Sequence, residues 1–194
     1  MEKKALKPAG VFKYFEEICQ VPRPSKKEEK MIAYLKAFGA KHNLETKVDE
    51  AGNVLIKKPA TPGKENLQTV VLQSHIDMVC EKNNDVQHDF LTDPIETEID
   101  GEWLKAKGTT LGADNGIGVA TELAILADDS IEHGPLECLF TVDEETGLTG
   151  AFALQEGFMS GDILLNLDSE DEGEIFIGCA GGIDSVAEFT YKEV

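Results

Sequence analysis

Thr69-Val-Val-Leu-Gln-Ser-His75-Ile-Asp77 decides the reading of this chain. It opens as an unbroken apolar run, as a strand buried on both faces does, and it ends in an imidazole and a carboxylate. Two further runs repeat the pattern. Leu136–Val142 leads into Asp143-Glu144-Glu145, and Ile163–Leu167 leads into Asp168. All three are expected to be fully buried strands. Between and around them lie helical patterns, with Val11, Phe12, Phe15 and Ile18 at helical spacing in 9–20. Ser25 and Glu28 read as a capping box for a helix reaching about His42, with Met31, Ile32, Leu35 and Phe38 as its apolar positions. Short strands are expected at Glu45–Val48 and Val54–Lys57, and a hairpin at Ile95–Ile99 and Trp103–Ala106 around Asp100-Gly101. A helix is expected from Gly116 to Asp128 and a short one over Gly150–Gln155. Apolar strands alternating with helices indicate an α/β fold, with a central sheet that is mostly parallel and flanked by helices.

In such a sheet, sites form beyond the carboxyl ends of the strands. One acidic residue after a strand is ordinarily a solvated loop residue, but three strand ends carrying His or carboxylate point to a site. His75 and Asp77 face the same way in a strand. That spacing suits an imidazole ligand whose second nitrogen is held by a carboxylate. Asp114 lies in Lys107-Gly-Thr-Thr-Leu-Gly-Ala-Asp114-Asn-Gly-Ile-Gly, a Gly-rich loop opening onto a helix. The loop could cradle phosphate, but it lacks the Gly-Lys-Ser/Thr ending and its Asp would repel an anion. Alone, Asp114 reads as a helix cap; beside the other carboxylates it reads as a ligand shared by two cations. Glu144 and Glu145 are adjacent and suggest divided labour, one holding metal and the other taking a proton from water. Nitrogen and oxygen donors without thiolate favour zinc, with manganese or cobalt as substitutes.

The chain has 194 residues and a formal charge of −19. It is long enough for one domain with its own core. Its acidity argues against nucleic acid and anionic membranes as partners. The four cysteines form no C-x-x-C pair, so neither a disulfide framework nor a cysteine-rich zinc site is expected. The N-terminus has no apolar signal region, and a reducing cytoplasm is the expected location.

Ser74-His-Ile-Asp-Met-Val, Gly112-Ala-Asp-Asn-Gly-Ile-Gly, Asp143-Glu-Glu-Thr-Gly and Asn166-Leu-Asp-Ser-Glu resemble, in order, the site motifs of the M20 metallopeptidases. Val71-Leu-Gln-Ser-His-Ile-Asp-Met-Val, Glu81-Lys-Asn-Asn-Asp, Ile99-Asp-Gly-Glu-Trp-Leu-Lys-Ala and Gly178-Cys-Ala-Gly-Gly-Ile-Asp resemble its aminoacyl-histidine dipeptidase branch. The resemblance implies a zinc-peptidase-like catalytic domain that hydrolyses dipeptides, Xaa-His preferred, at a di-zinc site. His75 and Asp168 would hold one zinc, Asp114 would bridge, and Glu145 would hold the second. Glu144 would be the general base, and Asp77 would orient His75. The peptide after the bridging Asp, here Asp114–Asn115, is cis in the family.

Members of this branch are more than twice as long, with an inserted lid domain and a second catalytic segment. By that comparison, residues 1–185 correspond to the first catalytic segment and 186–194 to the start of the lid. The second zinc's usual histidine then has no counterpart, since His42, His88 and His133 do not match its context. The family pairs through its lid, so a homodimer is a further expectation. Two alternatives stand beside this reading. One is a catalytically incomplete metal-binding fragment, expected to expose apolar surface. The other is a different M20 activity, such as a tripeptidase or deacylase.

Overall fold

The computed structural model describes residues 6–169, 171, 173–178, 181–182 and 185–191. Glu170 and Cys179 therefore lie outside the described residues, as do part of the Gly178–Asp184 motif and the last residues of the expected lid segment. The elements are α1 (Ala9–Cys19), α2 (Glu29–Lys41), β1 (Glu45–Val48), β2 (Val54–Lys58), β3 (Val70–His75), β4 (Thr97–Asp100), β5 (Trp103–Ala106), α3 (Ala113–Ala127), β6 (Leu136–Thr141), α4 (Thr149–Ala153) and β7 (Ile163–Asn166).

The main sheet has strand order β1-β2-β6-β3-β7. β3 runs parallel to both β6 and β7, so the three strands with site residues at their ends lie side by side with those ends on one rim. β2 and β1 continue the other side antiparallel, and β4 and β5 form a separate hairpin. The two-residue alternation of a strand sorts the core into layers. Val54, Ile56, Leu72, Cys138 and Phe140 pack with Phe15, Ile18, Leu35 and Leu123 from α1, α2 and α3. Leu55, Val71 and Leu139 point the other way, beneath Leu154, Phe158 and Met159.

Two expectations are corrected. β7 is not buried: Ile163, Leu164 and Leu165 are 40%, 48% and 48% exposed. It is an edge strand bonded only to β3 among the described residues, and little covers its faces. Ser25 and Glu28 do not form a capping box either. The Ser25 hydroxyl donates to Asp77 Oδ2 (2.8 Å), and Glu28 Oε1 accepts from the N–H groups of Lys26 (2.9 Å) and Asp143 (3.0 Å). A buried carboxylate and a buried amide claim these groups more strongly than a helix end open to water. In α3 the regular helix starts near Gly116, because Asp114 (φ −83°, ψ 115°) and Asn115 (φ −100°, ψ 33°) are not helical.

Glu122, on α3, is fully buried. Its Oε1 accepts from Ser74 Oγ at 2.7 Å, and its Oε2 has no hydrogen-bond partner among the described residues. Burial raises its pKa to about 8, against the opposing pull of the Ser74 hydroxyl and the Cys138 thiol. Folding therefore favours the protonated acid. The contribution is most favourable below the unfolded value near 4.5, declines as pH rises, and levels off above about 8. Glu122→Gln keeps the shape and removes the titration. In urea unfolding followed across that window, the variant's stability is expected to fall less steeply than wild type, by at most about 1.4 kcal/mol per pH unit. Parallel pH profiles would show that Glu122 is already ionised in the fold.

Candidate metal centre

His75 is the last residue of β3, and its side chain is 1% exposed. Its ring is held from both sides. Nδ1 faces Asp77 Oδ1 at 3.2 Å. Nε2 faces Asp114 Oδ1 at 2.9 Å, with Asp168 Oδ2 at 3.8 Å. Burial alone would lower the pKa of the imidazole. The bonds to Asp77 and Asp114, with the charge of Asp168, outweigh burial and push it up to about 9.

Asp77 is the hub behind the ring. Oδ1 accepts from His75 and from the Glu144 N–H (3.1 Å); Oδ2 accepts from Ser25 Oγ (2.8 Å) and the Glu145 N–H (3.3 Å). Burial raises its pKa, but the bonds from His75, Glu144 N–H and Ser25 prevail and hold the carboxyl below its usual range. It is thus an anion hydrogen-bonded to the imidazole. It also fixes the backbone at which β6 delivers Glu144 and Glu145.

The carboxylates on the open side behave differently. Burial raises the pKa of Glu144, and the charges of Asp168, Glu145 and Asp77 raise it further. Glu145 is raised by burial and then by Asp114 and Asp77, and Asp168 by burial and then by Asp114. Donor atoms of His75, Asp114 and Asp168 lie within 4.8 Å of one another, as do those of His75, Glu144 and Glu145. Four carboxylates thus gather round a single imidazole, and burial with mutual charge disfavours ionisation of Glu144, Glu145 and Asp168. A divalent cation would reverse that preference, so the donor set fits metal. The Asp114–Asn115 peptide is cis. Asn115 Nδ2 donates to Asp168 Oδ1 at 2.7 Å.

All six residues singled out in the sequence, His75, Asp77, Asp114, Glu144, Glu145 and Asp168, therefore converge on one rim. Asp143, in the same run, stands in neither His75 cluster but in a buried group with Glu28 and Asp77. It is buried beside Glu28, and its carboxylate accepts from Thr146 (2.6 Å) and Thr149. The other histidines lie elsewhere: His42 and His88 pack on Phe38 and Phe90, both with ring centroids 4.4 Å apart, and His133 bonds Gly134 O. Among the described residues, no cluster of three potential ligands includes any of them. Sequence reasoning missed Ser25 and Asn115 as partners of Asp77 and Asp168. Asn115 stands in the quoted motif and could have been found there; Ser25 lies 52 positions from Asp77, with no local signal.

The sequence profile of peptidase family M20/M25/M40 matches residues 71–189, a span containing His75, Asp77, Asp114, Glu144, Glu145 and Asp168. The chain belongs to this family. Its M20 relatives include the cytosol non-specific dipeptidase of Escherichia coli (strain K12), 54% identical over 94% of this chain and 38% of the relative. The crystal structure of aminoacylhistidine dipeptidase from Vibrio alginolyticus superposes with a TM-score of 0.86 at 55% identity, covering 89% of this chain and 36% of that one. Aminopeptidase PepT from Bacillus cereus superposes with a TM-score of 0.72 at 26% identity, covering 87% of this chain and 45% of that one. The chain thus spans less than half the length of each of these relatives.

Proposed function

We propose that the intact protein is a cytoplasmic dipeptidase that cleaves dipeptides, Xaa-His preferred, at a di-zinc site. The observation carrying this reading is the His75 ring, locked from behind by Asp77 and faced by Asp114, Asp168, Glu144 and Glu145. His75 and Asp168 would hold one zinc, Asp114 would be shared between two, and Glu145 would hold the second, with manganese or cobalt as substitutes. Bound cations would acidify a water and polarise the scissile carbonyl. Glu144, whose backbone N–H is held by Asp77, takes the proton of the attacking water and passes it to the leaving amine nitrogen. Asp77 keeps the His75 ring in one orientation throughout. The names of two relatives, a non-specific dipeptidase and an aminoacylhistidine dipeptidase, support a dipeptide substrate. On this reading residues 1–185 form the first catalytic segment, 186–194 begin a lid, and the lid joins two copies.

A second reading, metal binding without turnover by this chain alone, is favoured by the donor count: His75 is the sole imidazole in the cluster among the described residues. One experiment separates the two. The 194-residue chain and a version extended to the relatives' length are freed of metal, titrated calorimetrically with Zn2+, and assayed on β-Ala-His and Ala-Ala. The extended protein is expected to bind two ions and release histidine faster than alanine. The short chain is expected to bind more weakly, because a site short of a ligand loses affinity. Failure of the extended protein to hydrolyse either substrate with zinc would sink the dipeptidase reading.

A further inference from the structure

Arg23 stands between Pro22 and Pro24 on the segment joining α1 to α2, and it is 2% exposed. A guanidinium taken out of water needs acceptors for its N–H groups. It finds main-chain oxygens. Nη1 donates to Ile76 O (3.2 Å) and Asp77 O (3.0 Å), and Nη2 donates to Gly112 O (2.6 Å). The first two oxygens belong to the backbone leaving β3, beside His75. The third belongs to the turn two residues before Asp114. One planar, rigid group therefore ties together the two backbones whose side chains meet at 2.9 Å, His75 Nε2 to Asp114 Oδ1. Its charge also acts on Asp77 and Asp114.

The Gly-rich loop is shaped around this group. A Cβ on Gly112 (φ 68°) would lie 2.4 Å from Arg23 Nη2, and one on Gly116 would lie 2.8 Å from it. Asp114 sits midway between these glycines. The loop that resembles a phosphate cradle in sequence instead receives an arginine from within the protein.

We propose that Arg23 is a positioning residue of the metal centre, fixing the bridging Asp114 against His75 by clamping Gly112 to the end of β3. The inference rests on the metal-centre reading above. Lysine would keep the charge but is a point donor without the planar fork, so it cannot span the three oxygens equally well.

The test uses the intact protein and the variants Arg23→Lys, Arg23→Met and Gly112→Ala. Zn2+ affinity is measured by calorimetry and ligand geometry by the visible spectrum of bound Co2+, each well below the melting temperature of the metal-free form. Arg23→Met is expected to weaken Zn2+ binding about 10- to 100-fold, the range found when groups supporting metal ligands are removed. Gly112→Ala, which pushes the guanidinium away from the other side, is expected to reproduce the loss. Arg23→Lys is expected to fall between these and wild type. All three should alter the Co2+ spectrum. A group that served packing alone would lower the melting temperature and leave affinity and spectrum unchanged. If Arg23→Met does not fold, the other two variants decide. Wild-type affinity and spectrum in folded Arg23→Lys and Gly112→Ala would overturn the proposal. Absence of metal binding by the wild type would overturn the metal-centre reading itself, before any variant is compared.

Discussion

Glu144→Ala in the intact protein is expected to abolish dipeptide hydrolysis while both zinc ions stay bound. Glu144 and Glu145 are consecutive, so their side chains leave the backbone in different directions, and Asp77 fixes that backbone by accepting both N–H groups. Glu144 lies partly buried beside His75 and Glu145, where a positioned carboxylate can accept a proton from water. Removing a positioned general base costs about 10²–10⁴-fold in turnover. Glu144→Gln, which keeps the volume but accepts no proton, should lose as much. Turnover and zinc content are measured on the same preparations. Turnover near the wild-type rate would remove Glu144 as the base, whereas loss of zinc along with turnover would make it a ligand.

The second large effect is expected at Asp77, and here the conservative substitution is instructive. Its four partners are all donors: His75 Nδ1, Ser25 Oγ and the N–H groups of Glu144 and Glu145. Asparagine has one acceptor oxygen and an NH2 group. Whichever way the amide turns, its NH2 faces a backbone N–H, of Glu144 or of Glu145. Asp77→Asn is therefore expected to resemble Asp77→Ala rather than wild type. Both should destabilise the fold by about 3–5 kcal/mol, the cost of breaking a buried, hydrogen-bonded charge pair. Both should also weaken Zn2+ binding about 10- to 100-fold by freeing the ring of His75. Chemical denaturation of the metal-free protein and zinc calorimetry measure the two effects separately. A folded Asp77→Asn protein with wild-type zinc affinity would show that the ring needs no anion behind it.

Much of the site was legible in the sequence because its residues follow apolar runs. Period and burial identify strands such as Val70–His75 and Leu136–Thr141, and parallel pairing then brings their carboxyl ends to one rim. Asp114 was legible as a carboxylate where a Gly-rich loop enters a helix, although the loop's purpose was not. The supporting contacts were hidden for a physical reason. Arg23 lies 89 positions from the Gly112 oxygen it binds, and nothing local separates it from a solvated arginine. The capping-box reading of Ser25 and Glu28 failed the same way: the pattern is local, but both side chains are claimed by groups from β3 and β6. β7 misled through composition. Ile163, Leu164 and Leu165 are apolar enough for a central strand, yet composition does not state how many neighbours a strand has.

That open edge ties growth of the sheet to supply of ligands. β7 lies parallel to β3, and its other side, unpaired among the described residues, offers a row of main-chain donors and acceptors with the same polarity. Any strand laid there in parallel would finish on the rim next to Asp168. The same hydrogen bonds that extend the sheet would aim the newcomer's last side chains at the cluster around His75. A strand laid antiparallel would bring its first residues instead. The direction of any added strand would thus decide which of its ends could reach the cluster around His75.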